Sequence, residues 1–144
     1  MKYLNSFKLQ FVGRSSNEGF SRSAVAAFLA QLDPTVEELS DIKTAVSEAV
    51  TNAIVHGYGN KLGTVYINAY VFANRKIAID VKDKGKGIDD IQRAMTPLFT
   101  TSPESERSGL GFTVMEAFMD KLRVRSKTGK GTVVHMVKTL KAKE

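Results

Sequence analysis

Hydrophobic and polar positions change their period repeatedly along this chain, and each change marks an element. Phe7, Leu9 and Phe11 alternate with Lys8, Gln10 and Val12, the pattern of a strand with one buried face. Ser15, Ser16 and Asn17 then offer N-caps for a helix to about residue 31, with Phe20, Ala24, Ala27, Phe28 and Leu32 as its apolar set. Asp33-Pro34 interrupts it. Thr35 and the acids that follow, Glu37 and Glu38, begin a second helix next to the positive end of its dipole. Leu39, Ile42, Val46, Val50 and Ala53 make one stripe along it to His56, and Gly57 is the expected left-handed stop.

Residues 64–72 and 75–82 read as two strands around a tight turn at Ala73-Asn74. A short helix spans about 89–94. Residues 95–108 have no clear period and read as a loop. A helix over 109–120 has Val114, Met115, Phe118 and Met119 as its core set, and strands over 121–127 and 132–138 flank a Thr128-Gly129-Lys130-Gly131 turn. This order predicts an α/β two-layer sandwich, a mixed, mostly antiparallel five-stranded sheet with helices on one face.

The 144 residues suit a single domain, 1–144, with a real core. Hydrophobic residues make up 42% and charged residues 25%, a globular composition. Absence of cysteine excludes disulfides, thiolate metal sites and Cys nucleophiles. No apolar run approaches membrane-spanning length and the N-terminus lacks an apolar signal core, so a soluble cytoplasmic protein is expected. The net charge of +6 gathers in the last quarter, where Arg123, Arg125 and Lys127 alternate with Leu122, Val124 and Ser126 on the outer face of a strand. No aromatic residues interleave with them, which argues against single-strand nucleic-acid binding.

The candidate chemistry sits in three places. Glu48 and Asn52 fall one helical turn apart, off the apolar stripe, where a carboxylate and an amide meet one ligand. Asp83-x-Gly85-x-Gly87 leaves a strand end, and a buried carboxylate there accepts hydrogen bonds only. Ser108-Gly109-Leu110-Gly111 opens a helix, whose free N–H groups suit phosphate. The phosphate loop Gly-x-x-x-x-Gly-Lys-[Ser/Thr] is absent, and neither glycine pair completes a dinucleotide fingerprint. Taken singly, each feature has a plain reading: a solvated helix face, an Asp capping its own turn, a solvated Arg22 on the first helix. His56 and His135 read as structural.

Glu-x-x-x-Asn, then Asp-x-Gly-x-Gly, then Gly-x-Gly opening a helix, in that order, resembles the GHKL ATP-binding domain over essentially the whole chain. Pro97-Leu98-Phe99-Thr100-Thr101 and Glu106-Arg107-Ser108-Gly109-Leu110-Gly111-Phe112-Thr113 narrow this to a resemblance to the anti-sigma F factor family of spore-forming bacilli. Val25-Ala26-Ala27-Phe28 and Gln31-Leu32-Asp33-Pro34 are similar to that family too, whereas the basic charge departs from it. The resemblance implies a serine-protein kinase that holds ATP or ADP and Mg²⁺. Glu48 is implied as general base and Asn52 as a Mg²⁺ ligand. Asp83, with Thr132 nearby, is implied to receive the adenine amine, and Gly85 and Gly87 to admit the nucleotide to the backbone. Thr100, Thr101, Arg107, Ser108, Gly109 and Gly111 are implied to close over the phosphates, with Arg107 stabilising charge. Arg22 is implied to contact the partners, sporulation sigma factor F and a STAS-type anti-anti-sigma factor. A homodimer through the first strand and helix is implied, without membrane or direct nucleic-acid contact. The competing readings are an ATP-dependent binding module without kinase activity, a histidine-kinase-type ATPase, and a nucleic-acid binder driven by the basic C-terminal quarter.

Overall fold

The computed structural model describes residues 2–59, 61–95 and 111–143, the side chain of Gln92 excepted. Five strands, β1 (Asn5–Val12), β2 (Thr64–Val71), β3 (Lys76–Asp83), β4 (Lys121–Lys127) and β5 (Gly131–Thr139), form one sheet in the order β1-β2-β3-β5-β4. All four pairings are antiparallel, so the sheet expected to be mixed is antiparallel throughout. The long excursion from β3 to β4 returns the chain to the far edge, and β5 then inserts between them. Asp83, the last residue of β3, is thereby placed beside Thr132 near the start of β5.

Helices α1 (Ser16–Leu29), α2 (Val36–Asn52) and α4 (Gly111–Phe118) cover one face, and the short α3 (Ile91–Ala94) lies near β4. Alternation decides which side chains meet them. Val65, Ile67 and Ala69 of β2, Ile77, Ile79 and Val81 of β3, and Val134 and Met136 of β5 point into the core. They pack against Ile42, Val46 and Val50 of α2 and Met115 of α4. Each Val, Ile or Met side chain among them, removed from water, stabilises the fold by about 1.5–3 kcal/mol.

α2 has the start its sequence predicts. The Thr35 hydroxyl accepts the Glu38 N–H at 3.0 Å and the Glu38 carboxylate accepts the Thr35 N–H at 2.9 Å, a reciprocal capping box. Glu38 also accepts the Lys141 N–H at 2.7 Å, tying the chain's end to this helix. Asp33, at φ 50°, makes the stop before it. α1 differs from expectation. Ser15 makes no side-chain cap, and the buried face is Ser21, Val25 and Leu29, while Phe20 is 53% exposed. The aromatic side chains flank the face instead: Phe28 lies against Phe7 and Phe20 edge-on to Phe11.

Among the described residues, no helix covers the opposite sheet face. Lys8, Lys82, Arg123, Arg125 and Lys127 stand exposed on it. Asp80, also on that face, is bonded to His135 Nδ1.

Candidate functional site

Glu48 is buried and Asn52 half-buried on the side of α2 that meets α4. Gly111, the first residue of α4, rests on both. A Cβ there would stand 3.1 Å from the Asn52 amide and 3.3 Å from Glu48 Oε2. The missing side chain lets the helix start approach two polar groups at near van der Waals distance.

Beyond Asn52 the helix widens into a π turn, Ala53–Gly57, in which the Tyr58 N–H reaches back to Ala53 O at 3.0 Å. The Tyr58 hydroxyl pins the turn, donating to Thr64 O at 2.5 Å and accepting the Lys84 N–H at 2.8 Å. Gly57 is not the left-handed stop; Gly59 takes that conformation, at φ 57°. Gly57 is needed for closeness. A Cβ on it would lie 2.7 Å from the Asp83 carboxylate, and its carbonyl accepts the Lys86 N–H at 2.9 Å. A Cβ on Gly85 would collide with that same carbonyl. Gly85, expected to admit a ligand to the backbone, is thus occupied by the protein's own π turn and does not wall the cavity.

The cavity itself measures about 420 Å³, within the range of small-molecule sites. Ala49, Ala53, Val81, Val134 and Phe112 give it an apolar lining, and Asn52, Asp83, Gly87, Gly111 and Thr132 converge on it. Burial pushes the Asp83 carboxyl above its ordinary range, opposed by the N–H groups of Gly85 and Thr132. The Gly85 N–H bond is 2.9 Å. His56 also faces the cavity; burial, aided by the charge of Lys86, lowers its pKa and favours the neutral ring.

Residues 84–90 are fastened to the β4–β5 hairpin. Ile88 N–H donates to Ser126 Oγ at 2.7 Å, Gly129 N–H to Lys86 O at 2.6 Å, and the Thr128 hydroxyl to Asp89 at 2.7 Å. Gly87, at φ 78°, closes this junction, because a Cβ would strike Lys127 O. The floor of the site is therefore rigid where it meets the sheet.

On the other side of Glu48, a surface groove between α1 and α2 is lined by Glu18, Arg22, Leu39, Lys43 and Ser47. Arg22 Nη1 pairs with Glu18 Oε2 at 2.6 Å, and the same carboxylate oxygen accepts the Ser47 hydroxyl at 2.8 Å. Arg22 is thus held beside the groove, away from the cavity, and Glu48 lies where the two depressions approach each other.

Of the residues singled out in the sequence, the structure brings Asn52, Asp83, Gly87, Gly111 and Thr132 to one cavity, with Glu48 behind Gly111. Thr100, Thr101, Arg107, Ser108 and Gly109 lie outside the described residues. The sequence reading took His56 as structural and passed over Lys86, Ile88, Phe112 and Thr128, all of them in the cavity wall. His56 was legible: Glu48, Asn52 and His56 recur every four residues, one face continued by one more turn. Thr128 reaches the site only through hairpin packing. For a divalent cation, no cluster of three or more acidic or histidine ligands occurs among the described residues. The Asn52 carbonyl supplies one hard oxygen at the cavity, which fits Mg²⁺ that arrives with phosphate oxygens and water.

Residues 18–138 match the histidine kinase-like ATPase domain family. The anti-sigma F factor of Thermoanaerobacter pseudethanolicus is 61% identical over 138 residues, 96% of this chain and 96% of that protein. The anti-sigma F factor of Clostridium novyi is 56% identical over 141 residues, 97% of this chain and 98% of that one. Among solved structures, the RsbU and RsbW domains of a Mycobacterium tuberculosis protein superpose with a TM-score of 0.69 at 20% identity, covering 94% of this chain and 32% of that one. The histidine kinase domain of a blue-light activated kinase from Erythrobacter litoralis gives 0.55 at 20% identity, over 85% and 61%. At that identity the two structures speak for the fold alone.

Proposed function

Because the chain belongs to the anti-sigma F factor family, within the histidine kinase-like ATPases, we propose that it binds sporulation sigma factor F and uses Mg-ATP to phosphorylate a serine of an anti-anti-sigma protein of the STAS type. The observation that carries this reading is the meeting of Glu48, Asn52 and Gly111 beside an apolar cavity that Asp83 also lines. Adenine sits in the apolar part and presents its amine to Asp83. The triphosphate runs toward Asn52 and the start of α4, where the backbone N–H groups and the helix dipole favour anions. Mg²⁺, when bound, neutralises phosphate charge, and Asn52 would hold it.

In this reading Glu48 orients the acceptor hydroxyl and takes its proton as the hydroxyl attacks the γ-phosphorus. It borders the α1–α2 groove, so an acceptor docked beside Arg22 has a short way to it. In this proposal Arg107 stabilises charge on the transferring group, and Thr100, Thr101, Ser108 and Gly109 close over the phosphates. Occupancy of the site alters what surrounds Gly111, and with it the surface near Arg22. One face could then serve two competing partners, selected by nucleotide state.

The test is phosphate transfer from γ-labelled ATP with Mg²⁺ to a purified anti-anti-sigma protein, with Glu48→Ala alongside. Label on a partner serine that is absent with the variant is the expected result. No label despite measured ATP binding would overturn the kinase and leave a nucleotide-dependent anti-sigma binding module. The same reading includes a homodimer, action in the cytoplasm, and no direct contact with nucleic acid or membrane.

A further inference from the structure

The pairing of β2 with β3 runs out at Tyr66 opposite Lys82. One more step in the same register sets Thr64 against Lys84. At that step the Tyr58 hydroxyl stands between the two backbones. It accepts the Lys84 N–H at 2.8 Å and donates to Thr64 O at 2.5 Å. An amide N–H can only donate and a carbonyl only accept, so both directions are fixed. One side-chain hydroxyl thus takes the place of a ladder bond where the strands part.

Tyr58 is itself held at both ends. Its N–H reaches Ala53 O at 3.0 Å in the π turn, and its ring lies over Gly63, where a Cβ would strike it. What it holds in turn is the neighbourhood of Asp83. Lys84 is the next residue in the chain, so the bond to its N–H fixes the peptide that follows Asp83. Asp83 itself is paired with Thr132 of β5. Tyr58 also follows Gly57, against which the Asp83 carboxylate lies. One side chain therefore secures both the backbone that carries this carboxylate and the turn that seats it.

We infer that Tyr58, a residue outside the cavity wall, governs nucleotide affinity by holding the Asp83 carboxylate in place. Tyr58 is a positioning residue; it reaches the ligand only through Asp83. This rests on the proposal that the cavity binds ATP with its base against Asp83.

The experiment titrates ATP calorimetrically into the full chain as wild type, Tyr58→Phe, Asp83→Asn and the double variant, and follows amide exchange of each without nucleotide. Phenylalanine keeps the ring and removes the bridge. In Tyr58→Phe the ATP affinity should fall about tenfold, the worth of one hydrogen bond. The Gly85 N–H, which Asp83 accepts at 2.9 Å, should lose protection while that of Ile79 in mid-strand keeps its own. In the Asp83→Asn background the same change should cost less than about twofold, because the group it positions is already altered. A merely structural role would lower affinity by one factor in both backgrounds and speed exchange at Gly85 and Ile79 alike. Either result would overturn the inference. So would a Tyr58→Phe protein that keeps both its ATP affinity and its Gly85 protection, with water in place of the hydroxyl. Where Asp83→Asn binds too weakly to titrate, the exchange rates decide. These outcomes leave ATP binding standing; failure of wild type to bind ATP would overturn the ATP reading and this inference together.

Discussion

Gly57 and Asp83 touch: the position a Cβ would take on Gly57 is 2.7 Å from the carboxylate that ends β3. One residue belongs to the π turn after α2 and the other to the sheet, so their contact joins the two layers at the cavity. The carboxylate keeps its place because nothing larger than hydrogen stands there.

Gly57→Ala should therefore push the Asp83 carboxylate out of position. Overpacking of this kind costs about 1–3 kcal/mol of stability. Nucleotide affinity should fall further than that loss explains, since the displaced group is the proposed adenine contact. Denaturant unfolding and nucleotide titration on the same variant separate the two effects; full affinity at reduced stability would contradict the assignment.

Asp83→Asn should weaken nucleotide binding at least about tenfold, because an amide offers one acceptor where a charged carboxylate offered two. Without nucleotide its effect depends on pH. Burial raises the folded pKa of Asp83 above its ordinary 3.8, so folding is favoured while the group is protonated. That contribution is present below pH 3.8 and is lost as pH rises through the folded pKa. The asparagine variant lacks the loss, so its stability relative to wild type should improve as pH rises through that window. Urea unfolding at a series of pH values reads the trend, and the opposite slope would remove desolvation as the dominant influence on this carboxylate.

Glu38 titrates with the other sign. Burial pushes its pKa up, but the N–H groups of Thr35 and Lys141, the Thr35 hydroxyl and the charge of Arg75 together bring it below its ordinary 4.5. Its contribution is present above pH 4.5 and is lost as pH falls through the folded pKa. Glu38→Ala removes a cap and a tie to Lys141, and should cost about 1–2 kcal/mol at neutral pH. The cost should shrink in acid. A deficit that stays constant down to low pH would show that packing, and not the carboxylate, is what the residue provides.

Glu48→Ala should retain ATP binding and lose about 10²–10⁴-fold in phosphotransfer rate, the usual contribution of a general base. Single-turnover kinetics at saturating ATP isolates that step. A rate within a factor of three of wild type would move the base elsewhere.

Arg22→Glu reverses charge in the α1–α2 groove without touching the cavity. It should impair capture of sigma factor and anti-anti-sigma protein while leaving ATP affinity as in wild type. Pull-down of both partners at normal strength would exclude the groove as their shared surface.

Much of this was legible because short-range chemistry wrote it. Thr35 and Glu38 announce the start of α2, and the alternation in β1 and β4 separates their inner from their outer sides. α1 was misread because its apolar residues wrap more than one side: Phe20 and Phe28 are bulkier than Val25 and Leu29, yet the smaller pair fits the space over the sheet. Asp83 and Asn52 were visible as residue types at informative spacing. The reason for Gly85 was not, because its neighbour, Gly57, comes from a turn 28 positions earlier in the chain, and no local pattern records that approach.

The sheet face opposite α1 and α2 has a practical consequence. With Lys8, Lys82, Arg123, Arg125 and Lys127 spread across it and Asp80 already taken by His135, this side should settle first on any anionic support. Adsorbed so, the molecule would lie sheet down with α1 and α2 turned toward the liquid. A sensor surface or cation-exchange bead would then act as an orienting mount, presenting the Arg22 side to solution without a chemical tether.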